Sequence, residues 1–79
     1  MSTMQAYRNL GGHSGIECFA LADEEIIVRF RRGAHREYGY NRQSLGDVRL
    51  AEMKRLALQG RGLNSYILEH ARERYAWRA

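Results

Sequence analysis

The feature that most constrains this chain is the run Glu25 to Arg32. Ile26, Val28 and Phe30 alternate there with Ile27, Arg29 and Arg31. A period of two in β-branched and aromatic residues is the signature of a strand. The segments on either side are equally short. Ile16 to Leu21 is apolar, Ala22-Asp23-Glu24 breaks it, and Gly33 separates the central run from Ala34 to Tyr40. Breaks of about three residues admit hairpins and exclude the dozen or more residues that a parallel crossover needs. The expectation is a three-stranded antiparallel meander.

The second half changes period. Leu50, Met53, Leu56 and Ala57 follow Asp47 at helical spacing, with Asp47 as the expected N-cap. Gly60 and Gly62 close that helix. Asn64 is then placed to cap a second one, with Leu63 and Leu68 as a hydrophobic staple and Leu63, Ile67, His70, Ala71 and Arg74 along one stripe. Helices this short bury too little surface alone, so both are expected on one face of the sheet. The fold class expected is α+β, in the order β-β-β-α-α. With 79 residues there is room for one core, assigned to 14–79, behind a flexible arm over 1–13 that ends near Gly11-Gly12.

Composition narrows the function. No apolar run reaches the roughly 18–20 residues of a membrane span, and Met1 to Leu10 has no apolar signal core. The single cysteine, Cys18, excludes an internal disulfide. A cytoplasmic domain is the expectation. His13, His35 and His70 with Cys18 match no metal-ligand spacing, so neither a metal nor another cofactor is expected. His35, Arg36, Glu37 and Tyr38 include acid–base and phosphate-stabilising types. Alternation on a strand nevertheless separates His35 and Glu37 from Arg36 and Tyr38, so no enzyme is expected.

The net charge is +4, and twelve of the thirteen basic residues are arginine. Residues 1–41 are balanced, so the excess lies in 42–79. Arginine offers a planar fork for phosphate and a flat face for stacking. The expected nucleic-acid-binding set is Arg29, Arg31, Arg36, Tyr38, Tyr40, Arg42 and Arg61. Arginines there track phosphates and tyrosines stack unpaired bases. Against it stands the ordinary alternative, in which the tyrosines pack beneath the helices and Glu25 and Glu37 pair with the arginines. A protein-interaction module is the competing function, such as a phage or mobile-element protein binding a host complex. Tyr75 and Trp77 would anchor that interface or a homodimer.

Several segments resemble a known family. Gly60-Arg61-Gly62-Leu63-Asn64-Ser65-Tyr66-Ile67 is similar to the G-x-[aromatic]-[aromatic]-N-x-x-I run of the KTSC domain. Ser14-Gly15-Ile16, Ile26-Ile27-Val28-Arg29-Phe30, Gly33 and Tyr38-Gly39-Tyr40 resemble its S-x-I opening, its apolar strand, its glycine turn and its Y-x-Y. The likeness spans roughly residues 14–75. Arg36 stands where the family usually has its first tyrosine, so either Tyr38 is the second of the pair or a bulge shifts the strand. KTSC domains occur at the C-terminus of some lysyl-tRNA synthetases and as stand-alone bacterial and phage proteins. The resemblance implies a fold of this kind and, as the usual suggestion for the family, RNA binding.

Overall fold

A computed structural model describes residues 3–79. The strands are β1 (Gln5–Ala6), β2 (Ile16–Ala22), β3 (Glu25–Phe30), β4 (Glu37–Asn41) and β5 (Trp77–Arg78). They form one antiparallel sheet in the order β1-β2-β3-β4-β5. The α+β class and the central meander are as expected, but the sheet has five strands instead of three. Both additions are two-residue edges that the flanking segments donate. Gln5 and Ala6 pair with Phe19 and Cys18, while Trp77 and Arg78 pair with Gly39 and Tyr38. Short edge strands are a common way to cover the unpaired backbone of a longer neighbour.

The 1–13 segment is accordingly tied down over its described part. Tyr7 is buried, its amide donates to Glu17 O at 3.1 Å, and Leu10 N–H donates to Gly60 O at 2.8 Å. Met1 and Ser2 lie outside the described residues.

The helical half also departs from expectation. Asn41 closes β4 and caps a short helix, α1 (Arg42–Leu45). Its Oδ1 accepts from Ser44 N–H at 2.8 Å, and Ser44 Oγ accepts from Asn41 N–H at 3.1 Å. That reciprocal pair is a capping box. Helix α2 (Asp47–Gln59) follows, with Asp47 inside its first turn and Gly46 at the cap. Helix α3 (Leu63–Tyr66) begins after Gly62, so Asn64 lies within it rather than capping it. The run then widens into a π-helical turn over Ile67–Ala71. Leu68 is exposed and makes no staple with buried Leu63, and His70 lies outside the buried stripe of Leu63, Ile67 and Ala71.

One face of the sheet carries the core. Phe19, Ile26, Val28 and Tyr40 are buried against Leu45, Leu50, Met53, Leu63 and Ile67. The register explains which strand residues face inward, since Val28 lies opposite Tyr38 and Ile26 opposite Tyr40. That β3–β4 ladder is unbroken from Glu25–Asn41 to Arg29–Glu37. The bulge lies instead in β2, between Ile16 and Cys18.

Gly60 ends α2 in the left-handed region at φ +78, and a Cβ there would stand 2.8 Å from Arg8 Cβ. Gly60→Ala therefore meets both a conformational and a steric penalty. A loss on the order of 1–2 kcal/mol is expected in chemical denaturation, from the left-handed backbone alone.

Candidate nucleic-acid interface

Placing the side chains divides the arginines into two groups. Arg29 stands on the outer face of β3, and its Nε donates to Glu37 Oε2 at 2.9 Å across the ladder. That hydrogen bond, with the charge of Glu37, raises the pKa of the guanidinium above its ordinary value. Arg36 donates to Phe30 O at 3.0 Å and pairs with Glu17 at 2.9 Å. Arg42 bridges Asp47 at 2.6 Å and Glu24 at 2.8 Å. Three of the arginines assigned to phosphate are thus engaged with carboxylates of their own chain. Arg31 and Arg61 are exposed and make no ion pair among the described residues.

The tyrosines follow the packing alternative. Tyr40 is 1% exposed and belongs to the core. Tyr38 is half-buried on the same face, edge-on to Phe30 at 5.6 Å and to Tyr75 at 5.3 Å between centroids. Neither shares a face with Arg29, so the sheet surface expected to bring these residues together is not formed. Burial pushes the Tyr40 hydroxyl up to about 12, with smaller contributions from Tyr38 and Tyr75. Folding favours the neutral phenol. Its contribution is full below the ordinary value of 10.0 and is lost as the pH climbs toward about 12. Thermal melts across that window should show a falling Tm, and Tyr40→Phe should flatten the fall.

A different constellation assembles at the end of the sheet. The exposed 31–36 turn, the edge of β4, the π-helical turn and the C-terminal segment enclose a cleft of about 440 Å³. Phe30, Tyr38 and Tyr75 supply aromatic surface, and Arg32, Arg72 and Arg78 supply charge. These three arginines make no ion pair among the described residues. The guanidinium of Arg78 lies over the Tyr75 ring at 5.3 Å from its centroid, a cation–π placement that leaves its N–H groups available. Among the described residues Glu73 is the one carboxylate lining the cleft, and His35 is also present.

The C-terminal half of this cleft is held by Trp77. Its indole lies across Gly39 so closely that a Cβ there would be 2.1 Å from Nε1, and the indole N–H donates to Glu25 Oε2 at 2.9 Å. Backbone bonds from Ala76 N–H to Gly39 O and from Ala79 N–H to Glu37 O complete the attachment. Trp77 and Tyr75, assigned together as interface anchors, therefore have different places. Tyr75 lines the cleft, while Trp77 clamps the segment from the opposite face of the sheet.

The binding set expected from the sequence omits Phe30, Arg32, Arg72 and Arg78, although Arg32 adjoins the arginines of the sheet half and Arg72 and Arg78 belong to the basic excess of 42–79. The available signal was the spacing Arg72-x-x-Tyr75-x-x-Arg78, an aromatic residue flanked by arginines.

Among the described residues no cluster of three or more His, Cys, Asp or Glu side chains could hold a metal, and no helix is long and apolar enough to cross a membrane. Cys18 is buried in β2. Comparison of the chain with protein-family models, curated proteins and solved structures finds no match.

Proposed function

We propose that the chain is a non-enzymatic module that binds single-stranded RNA in the cleft between the 31–36 turn and the C-terminal segment. The observation that carries this reading is the concentration, around an aromatic-lined cleft, of arginines without an ion pair among the described residues, while Arg29, Arg36 and Arg42 are paired with carboxylates. Stacking on Tyr75 or Tyr38 requires a base free of its pair, which favours single strands over duplex. Arg32, Arg72 and Arg78 would take the phosphates on either side. The likeness to the KTSC domain points toward the same class of ligand.

Fluorescence anisotropy with a labelled single-stranded RNA tests the reading. Three phosphate contacts predict a slope of log K against log salt of about −2. Between 50 and 200 mM salt that slope weakens binding roughly 15- to 20-fold. A duplex of equal length should bind less tightly at each salt concentration. Absence of binding at the lower salt would overturn the reading.

A further inference from the structure

A second, smaller cavity lies one helical turn from the cleft. It has a volume of about 150 Å³ and is bordered by Tyr7, His13, Arg61, Asn64 and Ser65, with no carboxylate in its lining. Asn64 and Leu68 stand four residues apart on the continuous helical run 63–71, and Leu68 lines the large cleft. The two cavities therefore border successive turns of one helix.

The small cavity is bordered by donors that are free to meet a ligand. The side chains of Arg61, His13, Asn64 and Ser65 have no hydrogen-bond or ion-pair partner among the described residues. Tyr7 is only 5% exposed, and its hydroxyl accepts from Leu63 N–H at 3.3 Å. That hydroxyl still has a proton to donate and no acceptor for it among the described residues. At about 150 Å³ the cavity suits a tetrahedral oxyanion and is small for a nucleobase.

We infer that this cavity is a pocket for a terminal phosphate monoester of the strand bound in the neighbouring cleft. The dianion accepts from Arg61, Asn64, Ser65 and Tyr7, while His13 donates an imidazole N–H in either of its protonation states. The ligand is then a short single strand with a phosphorylated end, its terminal group in the small cavity and its following bases in the cleft. This rests on the cleft being the nucleic-acid site, and it adds a preference which that reading does not contain.

The test compares a single-stranded tetranucleotide carrying a 5′-phosphate, a 3′-phosphate or neither. One phosphorylated form should bind about tenfold more tightly than the unphosphorylated one. Arg61→Ala and Tyr7→Phe should each reduce that advantage, lowering the affinity for the phosphorylated strand by more than that for the unphosphorylated one. Equal affinity for all three forms overturns the pocket and leaves the cleft reading intact. An Arg61→Ala loss shared equally by all three also overturns it, since Arg61 would then contact an internal phosphate. Should no oligonucleotide bind, the cleft reading fails and inorganic phosphate decides the pocket alone. Saturable amide shifts at Gly62 and Ser65 that vanish in Arg61→Ala sustain it, and their absence overturns it.

Discussion

Tyr75→Ala should weaken single-stranded RNA binding about tenfold or more, because one base–aromatic stack is worth roughly 1–3 kcal/mol by alanine substitution. The same change removes the ring beneath Arg78, so the guanidinium loses its support as well as the base its platform. Arg72→Ala/Arg78→Ala should reduce affinity at least as far and lower the salt slope by about 1.4, the contribution of two phosphates. Arg29→Ala separates this account from a binding surface on the sheet face. Arg29 is already satisfied by Glu37 on the outer face, so its loss should leave RNA affinity unchanged. Anisotropy titrations of the three variants at one salt concentration check the order. Equal losses from Arg29→Ala and Arg72→Ala/Arg78→Ala would return the site to the sheet.

Gly39→Val should detach the C-terminal strand. A Cβ at position 39 would occupy the space of the Trp77 indole, and the contact is with a rigid ring held on Glu25, not with the end of a flexible side chain. Overpacking of this kind costs about 1–3 kcal/mol where the neighbours can shift. Here the easier relief is for β5 to leave the edge of β4, because it is only two residues long. Tyr75 and Arg78 would leave with it, so RNA binding should fail even at temperatures where the rest of the domain stays folded. Trp77 is the only tryptophan in the chain, and its emission should shift to the red as the indole enters water. Amide hydrogen exchange would separate local from global opening. Protection should be lost at Ala76 and Ala79, which bond to β4, and kept within α2.

The central meander was legible because its signal is local. Ile26, Val28 and Phe30 alternate with polar and outward residues whatever surrounds them, and the short breaks leave only hairpins. The two edge strands have no such signal. Gln5–Ala6 and Trp77–Arg78 are extended because β2 and β4 offer unpaired backbone there, a tertiary cause that two residues cannot announce. The start of α2 was placed one residue late for a related reason. Asp47 is a common cap, but the real side-chain cap, Asn41, serves the separate helix that begins directly after β4.

The candidate site was harder to read, since residue type reveals a charge but not its partner. Arg29 and Glu37 meet through the β3–β4 register, and Glu17 reaches Arg36 beside a bulge in β2. The first pairing is the ordinary alternative that Glu37 offered in the sequence, and the second, through Glu17, had no signal there. Arg32, Arg72 and Arg78 come from distant segments and meet only once the C-terminal segment returns to β4. Tyr38 and Tyr40 were correctly seen to share a strand face. That face proved to be the one beneath the helices, because it continues the apolar side of β3.

The most direct test is a two-dimensional NMR titration of the full chain with a short single-stranded RNA. The account predicts shifts concentrated at Arg32 to His35, at Leu68 to Arg72 and at Tyr75 to Arg78, with Ile27 and Arg29 on the outer sheet face unmoved. Shifts centred on Ile27, Arg29 and Glu37, or none at low salt, would contradict it.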